Sequence, residues 1–290
     1  MAISETSTAV KSSSRGSFIK ALLYGKNRIN EEKANEETVM YKYGNFGIFM
    51  IGIIIVGALV LAARIYQEVY GFSAGLDSMS EDFQKYWMTL VKAELIVIFS
   101  VNLVIWAYLW MTRERDMDNV PPSLQLKRYI NLVLWILSYT FIVYWTTSFF
   151  AYADGAWHQT VLRDTSFTPS HNILFYGCIP LYLTTGVGGF LYAMTRLPAF
   201  GRGISIAYTF AVLGPALILP NLGFNEWGHA YWMTEEIFSH PLHWGFVVLG
   251  WNALAIGGVL MQIVIGMSLC YKKMNQKFED NSNSEFTAKL

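Results

Sequence analysis

The sequence is poor in charged residues, and this shortage excludes whole classes of protein. Only 14% of the residues are charged, whereas 53% are hydrophobic and 16% are aromatic; soluble domains carry about 25% charged residues. The formal net charge is zero, so the concentrated basic face that a nucleic-acid-binding protein needs is missing. The composition therefore predicts a membrane protein with no nucleic-acid partner.

Cysteine and histidine are also scarce. The two cysteines, Cys178 and Cys270, form no C-x-x-C or similar pair, which excludes iron–sulfur and thiolate zinc sites. Both fall in long apolar runs at what we expect to be opposite ends of the bilayer, so we predict unpaired, buried side chains. The five histidines are too few for a histidine-rich di-iron hydroxylase.

Six apolar stretches are long enough to cross a bilayer as helices. They lie near residues 46–64, 91–111, 129–152, 171–194, 203–221 and 242–270. We therefore predict an all-α, polytopic helix bundle whose transmembrane domain spans residues 46–270. Residues 1–45 are predicted to form a flexible tail and an interfacial helix, and residues 271–290 a C-terminal tail.

Lysine and arginine are distributed unevenly among the connecting segments. Cytoplasmic loops carry the excess of these residues, and with the N-terminus inside, 17 of the 21 basic residues fall on the cytoplasmic side. Both termini are therefore predicted to be cytoplasmic. Segments 153–170 and 222–241 then face the periplasmic or external side, and all five histidines lie in or at the edge of them.

These two outer segments carry near-identical sets of three polar residues. In each set, two residues four apart share a helical face, and a histidine follows a proline at the start of a membrane helix. The sets are Asp154, His158 and His171, and Asn225, His229 and His243. Imidazole with carboxylate suits copper, zinc, iron or nickel, so the pattern predicts two metal sites without identifying the metal.

The two predicted sites differ in ligand strength. An amide oxygen such as that of Asn225 is a weak, neutral ligand, so we expect the Asp154 site to be the better occupied. His240 fits neither set and is interpreted as a surface or supporting residue. Glu94, near the outer end of the second span, is interpreted first as a snorkelling or locally paired charge and second as part of a proton path.

Five strings resemble the C subunit of the copper-containing membrane monooxygenases, the family of particulate methane monooxygenase and ammonia monooxygenase. The resemblance covers about residues 60–255. The strings are YGFSAGLDSM, DGAWHQTVLRDTSFTPSH, YAMTRLPAFGRGIS, ILPNLGFNEWGHAYW and PLHWGFVVLGW.

The resemblance implies an all-helical membrane subunit that assembles with the A and B subunits, three copies of each, in a bacterial inner or intracytoplasmic membrane. It implies copper at both predicted sites, which would lie toward the periplasm. The expected reaction oxidises a small substrate with O2, and quinol is the expected electron donor. We expect Asn225, His229 and His243 to form the catalytic site, because tryptophan-rich surroundings favour an apolar gas.

The substrate stays open at this point. The strings DGAWHQT and YGFSAGLDS are more similar to methane-oxidising members, whereas RDTSFTPSH, YAMTRLP and PLHWGFVVLGW resemble ammonia-oxidising ones. Methane is slightly favoured, with ammonia or a short alkane as alternatives. An alternative of another class is a non-catalytic structural subunit, with the chemistry wholly in a partner.

Overall fold

The computed structural model describes residues 44–146, 150, 157, 167–213 and 252–287, with side chains of the last helix described for 254–276. Helices account for nearly all of these residues, and no strand occurs among them. The α-helices are α1 Phe46–Ala74, α2 Glu81–Phe83, α3 Thr89–Met111, α4 Pro122–Thr146, α5 Pro169–His171, α6 Ile179–Arg196, α7 Pro198–Gly201, α8 Ile206–Leu213 and α9 Asn252–Thr287.

Two π-helical segments join neighbouring α-helices into longer continuous ones. Gln84–Met88 connects α2 to α3, and Asn172–Cys178 connects α5 to α6. The continuous helices therefore run over Glu81–Met111 and Pro169–Arg196. At 1.5 Å per residue, the second is about 42 Å long, which exceeds the bilayer hydrocarbon core of about 30 Å.

Five helices of the described part are long and apolar enough to cross a membrane: Phe46–Ala74, Glu81–Met111, Pro122–Thr146, Pro169–Arg196 and Leu254–Gln276. They confirm the predicted all-α, multi-pass membrane architecture. Of the predicted span 203–221, only α8 and the residues before it are described; residues 214–221 lie outside the described part, as do residues 1–43.

Helix α1 extends beyond the predicted end at residue 64 because its charged residues are satisfied within the helix. Arg64 forms an ion pair with Glu68, one turn further along, and its Nη1 donates to Gln67 Oε1 at 3.2 Å. Gln67 itself is buried. Pairing at i and i+4 thus lets the helix continue to Ala74, where Gly75 follows as the C-cap.

The helix containing α3 begins ten residues earlier than predicted, at Glu81, because a local cap precedes the apolar run. The backbone N–H of Phe83 donates to Ser80 Oγ at 3.1 Å, and acidic residues Glu81 and Asp82 occupy the first turn. Both features favour a helix N-terminus. The charged residues at this position therefore begin the helix instead of preceding it.

Helix α4 and the continuous helix Pro169–Arg196 form the interior of the bundle. In each of these two helices, 56% of the most apolar 18-residue stretch is buried. The corresponding share is 17% for α1, 11% for Glu81–Met111 and 22% for Leu254–Gln276. Helix α4 packs against α1, α6 and α9, while α6 also packs against α3 and α8. The outer helices expose large apolar side chains such as Ile54, Ile96 and Leu254, as lipid contact requires.

The cysteine prediction is confirmed: Cys178 and Cys270 are free and buried. The charge asymmetry also predicted that four basic segments share one end of the bundle: the N-terminal tail, which lies outside the described residues, the 113–128 and 196–202 segments, and the C-terminal segment. Arg128 donates to the Arg196 carbonyl at 2.7 Å, and Lys273 lines a cavity with Arg202. The three described segments do share an end; its assignment to the cytoplasm stays a prediction.

Candidate functional site

Of the six predicted metal ligands, the structure describes His171. Asp154, His158, Asn225, His229 and His243 lie outside the described residues, as does His240. Within the described ranges, no group of three His, Cys, Asp or Glu side chains is placed to hold a metal ion. Because those ranges include one residue of the two sets, both predicted sites stay predictions.

His171 lies at the tip of the inner helix Pro169–Arg196, where the sequence pattern predicts it. Pro169 occupies the first turn of α5, after Thr168 in an extended conformation, and the Asn172 N–H donates to the Thr168 carbonyl at 2.8 Å. Proline is favoured in a first turn because its fixed φ suits the helix. The Thr-Pro-Ser-His string therefore starts the helix and fixes the position of His171 on it.

The His171 side chain is buried, with 3% of its surface exposed. Its ring lies 4.7 Å from the ring of Phe175, at an interplanar angle of 34°. Thr168, Ser170 and Asn172 beside it are also buried, and burial is costly for a polar side chain unless it has partners. This environment limits the imidazole to few orientations. A metal ligand needs such a fixed orientation, whereas a histidine that snorkels to the membrane surface does not.

Helix α1 supports this tip through a glycine contact. A Cβ placed on Gly75 would lie 2.3 Å from Pro169 Cγ and 2.2 Å from the Gly71 carbonyl oxygen. Both distances are too short for any side chain, so the close approach of α1 to the start of the 169–196 helix depends on glycine.

A second contact from α1 reaches the segment that carries the other two predicted ligands. The rings of Phe72 and Trp157 stack with centroids 5.1 Å apart, and a Cβ on Gly71 would lie 3.7 Å from the Trp157 ring. Trp157 is 4% exposed and immediately precedes His158. Helix α1 thus holds both the Trp157 side chain and the Pro169 turn.

Sequence reasoning misses these supporting residues because none of them has metal-binding chemistry. The signal that could have found them is the string YGFSAGLDSM, which contains Gly71, Phe72 and Gly75. From the sequence alone, this string indicates a family resemblance but gives no reason why these residues are needed. The structure gives it one, since its glycines and phenylalanine pack against the string that contains Asp154, His158 and His171.

Buried polar atoms follow His171 along the inner helix. The two amide atoms of Asn172 and the Tyr182 hydroxyl are buried and have no hydrogen-bond partner among the described residues. Such atoms are rare in folded proteins and generally indicate a water, an ion or another ligand. The interior face of this mainly apolar helix therefore carries hydrogen-bonding groups that could bind a water or another ligand.

Glu94 belongs to the same polar region, on the facing helix α3. Its Oε2 atom is buried with no hydrogen-bond partner in the described part of the chain, and a Cβ on Gly177 would lie 2.6 Å from its Oε1. The carboxyl group therefore packs against the π-helical segment Asn172–Cys178. The interpretation of Glu94 as a snorkelling or locally paired charge is wrong, because its carboxyl group points into the bundle.

Deeper in the bundle, a polar cluster joins α3 to α6. Asn102, which is 1% exposed, accepts a short hydrogen bond from the Thr184 hydroxyl and donates through Nδ2 to the Pro180 carbonyl at 3.3 Å. The Pro180 carbonyl also accepts from the Thr184 hydroxyl at 3.2 Å, so one backbone oxygen of α6 bonds side chains from both helices. The cluster fixes the lateral position of α3 against the helix that carries His171.

The opposite end of the inner helix is closed by charged groups. Arg128 Nη2 donates to Glu114 Oε2 at 2.7 Å, and Arg196 donates to the Leu109 carbonyl at 3.2 Å. The hydrogen bond from Arg128 lowers the pKa of Glu114 below its ordinary value, and the backbone N–H groups of Asp116 and Arg115 lower it further. The Glu114 N–H also donates to the Thr195 carbonyl at 2.8 Å, so the 112–121 loop is tied to both α4 and α6.

A family model for the C subunit of ammonia monooxygenase/methane monooxygenase matches residues 28–274. The chain belongs to this family. The match extends further toward both termini than the resemblance seen in the sequence, and its range includes all six predicted ligands. No curated protein sequence matches the chain significantly.

Membership makes the chain a membrane subunit of a monooxygenase, an oxidoreductase complex of several subunits. Trp157 and Pro169, against which α1 packs, lie next to His158 and close to His171 in the sequence. The α1 contacts are therefore made beside two predicted ligands of the same site. The predicted donor set of that site, two imidazoles and a carboxylate, suits several transition metals, copper among them, and the buried His171 agrees with a fixed ligand.

Proposed function

We propose that this protein binds copper and takes part in the oxidation of methane to methanol by O2, with quinol as the electron donor. Family membership and the fixed, buried position of His171 support the proposal. Membership supports the monooxygenase reaction. The position of His171 supports metal binding, because a histidine at a membrane interface is usually a mobile amphipathic side chain. His171 is instead held by Phe175 and by a turn that packs on α1.

The proposed roles divide between the two sets of ligands. Asp154, His158 and His171 would hold one copper ion, while Asn225, His229 and His243 would hold a second ion and form the catalytic site. Bound copper would supply the redox chemistry that protein side chains lack. The neutral ligands Asn225, His229 and His243 leave a less charged site, which suits a small apolar substrate better than a carboxylate-bound ion does.

The supporting residues of the chain would keep the first site rigid and dry. The Phe72–Trp157 stack covers the residue before His158, and Gly75 permits close packing on the turn before His171. Ligand positions must be held within about half an ångström for a metal site to keep its geometry. These residues would act through positioning, since none of them donates to the metal.

The proposal is tested by replacing ligands in the native complex and measuring both metal and activity. In His171→Ala membranes, we expect loss of about one copper per copy of this chain. In His229→Ala and His243→Ala membranes, we expect loss of methane-dependent O2 uptake. Wild-type copper content in the first variant, or unchanged uptake in the others, would contradict the assignment of the corresponding site.

A positioning variant separates the ligand role from the support role. Gly75→Ala forces a methyl group against Pro169, so we expect weaker copper retention during chelator washing although all six ligands are present. Gly52→Ala is the matched control, because a Cβ on Gly52 meets nothing within 4 Å. Equal retention in the two variants would show that the α1 contact does not position the site.

Ammonia oxidation is the second candidate reaction, because the family description names both enzymes. The two are distinguished by O2 uptake of native membranes offered methane, ammonia or ethane separately. The methane proposal predicts the highest specificity, kcat/KM, for methane. A higher value for ammonia would assign the protein to an ammonia monooxygenase without affecting the proposed copper sites.

A further inference from the structure

A cavity of about 610 Å³ lies at the end of the bundle opposite His171. It is a partly open cleft lined by α9, by the segment from α7 to the start of α8, and by parts of α4 and the loop before it. Its volume is in the range of about 300–1,000 Å³ that is typical of small-molecule sites. His171, the one described residue of the two predicted metal sites, does not line it.

The cavity lies where membrane-spanning helices end. The apolar span Leu254–Gln276 runs along it, and the short helix Pro198–Gly201 begins just after the inner helix ends at Arg196. On the bilayer side, the lining residues Ile204, Ile265 and Leu269 are more than half exposed, at 70%, 54% and 55%. One side of the cavity is therefore apolar and exposed, as a surface in contact with acyl chains would be.

The other side of the cavity is polar and carries a net positive charge. In the described part of the chain, its charged lining residues are Arg202, Lys273 and Asp118, and Arg202 donates to Asp118 Oδ1 at 2.6 Å. The carboxylate compensates one of the two cations, which leaves one cation in excess. Ser205 and Gln262 also line this wall, bonded to each other at 2.6 Å.

We propose that this cavity binds an anionic phospholipid, with its phosphate at Lys273 and Arg202 and the start of its acyl chains along Ile204, Ile265 and Leu269. The excess positive charge on one wall and the apolar side chains on the other together favour a ligand with an anionic headgroup and acyl chains. A free phosphate would leave the apolar wall without a partner, and a neutral ring compound would leave the excess cation uncompensated. Basic pockets between membrane helices bind anionic headgroups in this way.

The lipid site is tested on the intact complex, purified in detergent after incubation with equal amounts of phosphatidylglycerol and phosphatidylcholine. Retained lipid is quantified by mass spectrometry after extensive washing. We expect about one phosphatidylglycerol per copy of this chain at this site and a clear excess over phosphatidylcholine. Soluble glycerol phosphate, which has the headgroup charge but no acyl chains, is expected not to displace the lipid.

Two variants with matched controls assign the binding to the cavity. Lys273→Gln removes the excess cation and is expected to lower phosphatidylglycerol retention about fivefold, whereas Lys272→Gln, outside the lining, should not. Gly203→Leu introduces a side chain into open space, since a Cβ on Gly203 meets nothing within 4 Å, and should reduce retention at least about tenfold by filling the cavity. Gly52→Leu is its lipid-facing control.

Several results would overturn the proposal. They are equal retention of the two lipids, displacement by glycerol phosphate alone, co-purification of a quinone in place of phospholipid, or retention that is the same in Lys273→Gln and Gly203→Leu as in the wild type. Because copper content and substrate oxidation are not read out, the result is independent of the proposed monooxygenase chemistry.

Discussion

The inner and outer helices of the bundle differ in apolar character and in burial, and the two properties run in opposite directions. Helix α4 and the 169–196 helix are the least apolar of the five candidate spans, yet most of their apolar windows are buried. Helix α1 is the most apolar and has only 17% of its window buried. In a soluble protein the most apolar helices are the buried ones, because water and not lipid surrounds the outside.

The difference shows what holds the bundle together. Lipid provides little hydrophobic driving force between helices, so close packing at small residues and interhelical hydrogen bonds become important. The inner helix has three glycines, Gly186, Gly188 and Gly189, where an added Cβ would lie within 3 Å of an aromatic side chain. The outer glycine Gly52 has no such neighbour.

The largest expected effect comes from filling an inner glycine position. A Cβ on Gly189 would lie 2.3 Å from the Tyr208 hydroxyl oxygen and 3.1 Å from Trp135 Cβ, and Tyr208 is 2% exposed. Gly189→Ala is therefore expected to destabilise the protein by about 1–3 kcal/mol through overpacking.

The measurement is the midpoint of thermal unfolding in detergent-solubilised membranes, with Gly52→Ala as the outer control. The control should unfold at the wild-type temperature or slightly above it, since alanine is the better helix former. If Gly189→Ala is as stable as the control, the inner helix is not packed through its glycines.

A smaller effect is expected from removing an interhelical hydrogen bond. Asn102→Ala deletes the bonds to Thr184 and the Pro180 carbonyl, and bonds of this kind contribute about 0.6 kcal/mol each, at most about 1.7. Ser100→Ala is the control, because its hydroxyl bonds the Ile96 carbonyl within its own helix. Equal unfolding midpoints in the two variants would argue that the Asn102 cluster does not join α3 to α6.

The smallest effect concerns the charged end of the inner helices and depends on pH. Because Arg128 lowers the pKa of Glu114, ionised Glu114 stabilises the folded state above the ordinary glutamate pKa, and this stabilisation is lost as the pH falls through the lowered value. The unfolding midpoint of Glu114→Gln should therefore lie below that of the wild type at neutral pH and approach it in acid.

The control for Glu114 is Glu68→Gln, which removes the more exposed Arg64–Glu68 pair on the outer helix α1. Exposed i, i+4 pairs contribute little, so its midpoint should follow the wild type at every pH. A constant difference between Glu114→Gln and the wild type down to strongly acidic pH would show that the Arg128 contact is not electrostatic.

Helix existence was predictable from the sequence, but helix ends were not. Runs of apolar residues predicted the spans, since an apolar segment of about 20 residues has no other stable form in a bilayer. The ends of α1 and of the Glu81–Met111 helix were misplaced because charged residues interrupt the apolar pattern there. The Arg64–Glu68 pair and the Ser80 cap make those residues compatible with helix.

For the candidate site, the sequence predicts a set of ligands but not the residues that support one of them, His171. His171 was identified because histidine has metal-binding chemistry and follows a helix-starting proline. Gly75, Phe72 and Trp157 have no such chemistry, and their contacts join residues that are far apart along the chain. No periodic pattern encodes which helices become neighbours, so these contacts were visible only in three dimensions.

The sequence by itself determined that this protein is an all-helical membrane subunit of the monooxygenase family, because apolar length, charge asymmetry and motif strings are local properties of the chain. Only the tertiary structure decided that α4 and the 169–196 helix form the interior, that α1 packs on the turn before His171, and that Glu94 faces Gly177. In lipid, every apolar helix is stable alone, so its neighbours are chosen by glycine contacts and polar pairs that form between helices.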